Sequence, residues 1–108
     1  MNKRIALNET SLFAIIIKYI NYEWDENKAA SNRRKHDILF SDAVAVFEDE
    51  MALSREDIDS SEEQRFVLTG IDFMGRILTV VYTYRYGTIR LISARRATKK
   101  ERKTYEQF

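Results

Sequence analysis

Residues 65–94 are built almost wholly from strand-forming residues, interrupted by very short connections. Residues 65–71, 76–84 and 88–94 are rich in β-branched and aromatic side chains, with Asp72-Phe73-Met74-Gly75 after the first and Arg85-Tyr86-Gly87 after the second. Connections this short cannot carry a crossover, so the three segments must form an antiparallel meander. In the middle segment Ile77, Thr79, Val81 and Thr83 alternate with Arg76, Leu78, Val80, Tyr82 and Tyr84. Both sets are partly apolar, which places this strand in the centre of a sheet covered on part of each face. The same alternation puts Arg90, Ile92 and Ala94 on one face of the last strand and Ile89, Leu91, Ser93 and Arg95 on the other.

The meander predicts what must surround it. Residues 13–23, rich in Ile and aromatics, read as a strand. Asp25 is a good N-cap for a helix running to about His36, with Arg33, Arg34 and Lys35 in the last turn, where they complement the helix dipole. Asp37 stands where a left-handed residue would close that helix. Ser41 reads as the cap of a second short helix through Phe47, with Phe40, Val44 and Phe47 as its apolar stripe. A short strand over 51–55 and an acidic loop through Glu63 lead into the meander. Thr98-Lys99-Lys100-Glu101 is a capping box that opens a last helix to about Gln107. The expected fold is α+β: a mainly antiparallel sheet of four to five strands, two N-terminal helices and one C-terminal helix.

Composition narrows the chemistry. With 108 residues the chain is one domain's worth of material. It has no Cys, which excludes disulfides, thiolate metal sites and a cysteine nucleophile, and its one His disfavours zinc. Three Gly and no Pro leave no room for a GxGxxG or Walker-type loop, so nucleotide cofactors are not expected, nor is a metal. The longest apolar run, residues 12–17, is far below the ~20 residues that span a bilayer, so the cytoplasm is the default location. The net charge of +1 conceals a segregation. Between Asp42 and Glu63 nine acids face one base, Arg55, and between Arg85 and Lys103 eight bases face one acid, Glu101. The basic zone suits a polyanion, the acidic zone a basic partner; both are also what an ordinary solvated surface would show.

Trp24-Asp25-Glu26-Asn27-Lys28, then Asn32-Arg33-Arg34-Lys35-His36, then Val46-Phe47-Glu48-Asp49 resembles the BrnT family of bacterial toxins. The resemblance continues through Glu63-Gln64-Arg65-Phe66, Gly70, residues 76–83, Arg90-Leu91-Ile92-Ser93-Ala94-Arg95-Arg96-Ala97-Thr98, Glu101-Arg102 and Tyr105-Glu106. It covers residues 22–106, with Asp37 where the family has Gly. Residues 1–18 read as an N-terminal extension and 19–108 as the toxin domain. The resemblance implies a RelE-like fold and a metal-independent endoribonuclease that cleaves RNA, mRNA above all, to inhibit translation. It also implies a BrnA-type antitoxin with a ribbon-helix-helix part, DNA being met only through that partner and no membrane being involved. The alternative class is a non-catalytic module binding nucleic acid or a regulatory protein.

Metal-independent cleavage requires a ribose 2′-OH to attack the neighbouring phosphate, donors for the phosphorane charge, and a proton for the 5′-oxygen. Arg serves the charge, and His, Tyr, Lys or a carboxylate can move protons. The candidate catalytic residues are therefore Arg65, Arg95, Tyr82 and His36, and the candidate RNA-binding residues Arg90, Arg96, Lys35 and Tyr84. Each has a plainer reading. His36 is equally a helix-end histidine, Arg65 a partner of Glu62 or Glu63, Tyr82 and Tyr84 strand packing, and Lys35 a solvated side chain. One of Arg95 and Arg96 could brace the acidic loop, Arg76 is expected in solvent, and Trp24 is a core anchor. An antitoxin is expected to cover Arg90, Arg95, Arg96 and the helix start at Thr98.

Overall fold

The computed structural model of the protein describes residues 20–59 and 63–107. The extension 1–18 and the 13–19 part of the expected first strand lie outside the described residues. The elements are β1 (Tyr22–Glu23), α1 (Glu26–His36), α2 (Phe40–Ala43) running on as a 3-10 turn (Val44–Glu48), β2 (Leu53–Asp57), β3 (Arg65–Ile71), β4 (Ile77–Arg85), β5 (Thr88–Arg96) and α3 (Lys99–Glu106). The five strands form one mixed sheet in the order β1-β5-β4-β3-β2. The meander is antiparallel as expected, and β1 joins it in parallel beside β5.

Helix ends follow local chemistry closely. The Asp25 carboxylate accepts the N–H groups of Asn27 (2.8 Å) and Lys28 (3.1 Å), and these bonds hold its carboxyl below the usual range. Asp37 closes α1 in the left-handed region, φ 56°. Thr98 and Glu101 form the reciprocal capping box at the start of α3. The expected second cap is different: α2 begins one residue before Ser41, its N-cap is Leu39, and no side chain caps it. Burial of Phe40, 2% exposed, anchors this short helix instead.

One sheet face, here called the helix face, is covered by α1, α2 and the 3-10 turn. Its core is Ile38, Phe40, Ala43, Val46, Leu68, Leu78, Val80, Tyr82, Ile89, Leu91 and Ala94, with Trp24 packing edge-on to Phe40 at 6.0 Å between ring centres. Asn32, buried in α1, donates to the Ala94 carbonyl at 2.8 Å and accepts from the Ala94 N–H at 3.0 Å. Its amide thus pairs β5 where β1 no longer does, satisfying backbone groups that would otherwise be buried without partners. Gly70 of β3 has a steric reason of its own. A Cβ there would meet Asp49 Oδ2 at 2.9 Å and both Ala52 Cβ and Val46 Cγ1 at 3.0 Å. The close approach lets Asp49 accept from the Ile71 N–H (2.9 Å) and the Tyr105 hydroxyl (2.7 Å), tying the 3-10 turn to β3 and α3.

Candidate functional site

The opposite face of the sheet carries the arginines. Register places Glu23 of β1 beside Arg90 of β5, Arg90 beside Thr83 of β4, and Arg65 of β3 beside Asp57 of β2. Thr83 Oγ1 donates to the Gln64 carbonyl at 2.6 Å, which sets Arg65 next to Thr83. The result is one polar row across five strands: Glu23, Arg90, Thr83, Arg65, Asp57. The charges in it are only loosely neutralised. Arg90 lies 3.4 Å from Glu23, Arg65 lies 3.7 Å from Glu63, and Arg85 lies 3.8 Å from the same carboxylate. The contacts of Arg65 and Arg85 are longer than a good charged hydrogen bond. Arg65 Nε is buried and finds no hydrogen-bond partner among the described residues. A donor in that condition is either a cost to folding or a place for a ligand oxygen.

Arg95 reaches the same face by a route that side-chain alternation does not show. In the β4–β5 ladder Tyr82 pairs with Leu91 but Val81 pairs with Ser93, so Ile92 is an extra residue in β5. This bulge reverses the alternation beyond it. Ala94 therefore turns to the helix face with Ile89 and Leu91, and Arg95 turns to the face of Arg90, the reverse of the expected pairing. Arg95 is firmly held there. Its guanidinium donates to Glu101 Oε1 at 2.7 Å and Oε2 at 3.1 Å. The Arg95 fork, with the Thr98 N–H and the Thr79 hydroxyl, brings the Glu101 carboxyl down to about 2, and Glu101 in turn raises Arg95. Between α3 and the sheet lies a cleft of about 520 Å³, lined in part by Leu53, Arg55, Val67, Thr69, Lys100 and Glu101.

The other candidates are elsewhere. Tyr82 is 5% exposed, inside an aromatic cluster with Phe47, Phe66 and Tyr84 on the helix face, and burial raises its phenol. Its hydroxyl meets Ser54 Oγ at 3.3 Å, so it acts as packing and is closed to a polymer. Tyr84 shares that face and is 55% exposed. Lys35 and His36 are exposed at the end of α1, on the helix side of the sheet. Arg96 pairs with Leu78 and is exposed at the far end of β5. Neither Arg95 nor Arg96 braces the acidic loop; Arg65 and Arg85 contact its Glu63 instead. Arg76 is not solvated: its guanidinium lies 2.8 Å from Asp72 and 3.5 Å from Asp42. The partnership of Glu101 with Arg95 escapes sequence reading, since Glu101 already has a sufficient role as a capping residue.

Fold and site define a small α+β protein with α1 and α2 on one sheet face and the Arg65–Arg90 row, with α3 beside it, on the other. Among the described residues no cluster of His, Asp or Glu is arranged to hold a metal, and no helix is long and apolar enough to cross a membrane. The chain belongs to the family described as "Ribonuclease toxin, BrnT, of type II toxin-antitoxin system", whose model matches residues 24–101. It is similar to the crystal structure of the Brucella abortus ribonuclease toxin, BrnT, with a TM-score of 0.56 and 20% sequence identity, over 74% of this chain and 99% of that one. No curated protein matches the chain.

Proposed function

We propose that the protein is the toxin of a type II toxin–antitoxin system and an endoribonuclease that needs no metal, cleaving RNA, mRNA above all, by attack of the ribose 2′-OH. The observation that carries this reading is the row Arg90-Thr83-Arg65, two loosely paired, partly exposed guanidiniums on the sheet face away from α1, with one buried donor unpartnered among the described residues. Strands lie ~4.8 Å apart, so the two arginines flank Thr83 at a spacing of about 10 Å and their forks can close on one phosphate. As the phosphorane forms, the added negative charge strengthens its bonds to both guanidiniums, lowering the barrier more than the ground state. Glu23, beside Arg90, accepts the 2′-OH proton as the 2′-O–P bond forms, and the departing 5′-oxygen takes a proton from solvent as the P–O5′ bond breaks. Arg95, already neutralised by Glu101, positions the end of β5.

The test is cleavage of a labelled RNA in the presence of chelator. The expected products carry 2′,3′-cyclic phosphate, and Arg65→Ala lowers the rate ~10²–10³-fold while the fold is retained. Cleavage that disappears in chelator and returns with Mg²⁺ would end this mechanism. The separation of His36, Tyr82 and Arg65 favours a second reading, a non-catalytic binding module. That reading expects RNA or a protein partner to bind with no cleavage at all.

On this view the fold is RelE-like, residues 1–18 precede the toxin domain, and the protein works in the cytoplasm. Its antitoxin is of the BrnA type with a ribbon-helix-helix part, docking over Arg90, Arg95, Arg96 and Thr98. Salt should slow that association, because exposed guanidiniums steer an acidic segment.

A further inference from the structure

At the opposite end of the strands from the Arg65 row, the β3–β4 turn and the exit from β5 enclose a cleft of about 220 Å³ lined by Gly75, Arg76, Ile77, Arg96, Ala97 and Arg102. Three arginines thus line one small space. Asp72 and Asp42 partner Arg76, whereas no ion pair of Arg96 or Arg102 is found among the described residues. Like charges brought together repel, and an anion between them removes that cost. The turn beside the cleft is firmly built. Asp72, 5% exposed, accepts the N–H groups of Met74 (3.0 Å) and Arg76 (2.9 Å) and the Arg76 Nε (2.8 Å). That ordered turn, which leads into Arg76, leaves Phe73 84% exposed. An aromatic face beside a cationic cleft is the pairing that single-stranded nucleic acid uses, base on ring and phosphate on guanidinium.

We propose that this end of the molecule is a second RNA subsite, taking a backbone phosphate between Arg76, Arg96 and Arg102 and stacking a base on Phe73. The inference rests on the RNA reading above and extends it. Five residues of β4 separate Thr83 from Leu78, the partner of Arg96, so Arg96 lies ~17 Å along the strands from the Arg65 row and, by register, on the helix-face side of the sheet. Only an RNA several nucleotides long reaches both.

Binding is measured with labelled oligonucleotides of three to ten nucleotides in the Arg65→Ala protein, in which cleavage is ~10²–10³-fold slower, over times short against that residual rate. The expected result is affinity that rises with length, a rise of about tenfold lost in Phe73→Ala and in Arg96→Gln/Arg102→Gln. In the latter the slope of log affinity on log salt falls by ~0.7 for each phosphate contact removed. All three side chains are exposed, and circular dichroism of each variant checks the fold. Affinity of the longer RNAs that is unchanged in both variants, with short RNA still bound, overturns the subsite and leaves the catalytic reading standing. Failure of RNA of any length to bind overturns both.

Discussion

The two faces of the sheet solve opposite problems with the same strands. On the helix face Leu78, Val80 and Tyr82 of β4 are 5% exposed or less. Its buried backbone groups at Ala94 are met by Asn32, while the Tyr22 hydroxyl is buried there without a hydrogen-bond partner among the described residues. On the other face, among the described residues, Arg65 and Arg90 have carboxylates near them but none in tight contact, and Arg65 keeps an unpartnered donor. The first face spends its contacts on stability. The second leaves bonding capacity unused, which is what a surface awaiting a ligand looks like. The contrast predicts that substitutions on the helix face change stability and leave chemistry alone, and that those on the arginine face do the reverse.

The largest effect should come from Phe40→Ala. The side chain is 2% exposed and anchors a four-residue helix that has no side-chain cap, so removal should cost about 3–5 kcal/mol by denaturant titration. Arg65→Ala is the mirror case. Its contact with Glu63 at 3.7 Å is worth ~0–1 kcal/mol, so stability should hardly move while cleavage falls ~10²–10³-fold. Equal losses of stability and rate in both variants would erase the distinction between the faces.

How far the sequence shows this division depends on range. Local chemistry is legible: Asp25, Asp37 and the Thr98–Glu101 box cap their helices as residue type demands. The meander is legible because its connections are too short for any alternative. The bulge at Ile92 is not, since alternation assumes that each strand advances one residue per pair, and nothing in Leu91-Ile92-Ser93 marks the extra one. The site inherits that failure. Arg95 is expected on the face of Leu91 and is found on the face of Arg90. The burial of Tyr82 and the pairing of Arg76 are equally invisible, because each depends on an element far along the chain closing over it.

A smaller effect tests the one strong ion pair on the arginine face. The Glu101 carboxyl falls from an ordinary 4.5 to about 2 in the folded protein. A depressed carboxylate contributes stability in full above its unfolded value, and that contribution is lost as pH falls from about 4.5 toward 2. Glu101→Gln should therefore be less stable than the parent at pH 7, by about 1 kcal/mol after allowance for solvent screening. The gap should close as the medium approaches pH 2. Thermal melts of both proteins across this range check it. A gap that persists at low pH would mean that the carboxylate does not hold Arg95 through its charge.

The smallest effect discriminates best. Tyr82 is the phenol that sequence reasoning favours as an acid, and it sits on the face assigned to packing. Its ring contacts Phe47, Phe66 and Tyr84, while its hydroxyl lies 3.3 Å from Ser54 Oγ and also bonds the Tyr84 side chain. Tyr82→Phe keeps the ring and removes only the hydroxyl, so it should cost about 0.5–1.5 kcal/mol. Cleavage should proceed at the parent rate, with the same dependence on pH. A rate that falls a hundredfold in a protein of undiminished stability would place the phenol at the reacting phosphate. That result would require the helix face to open during the reaction, and the assignment of chemistry to one face and stability to the other would fail with it.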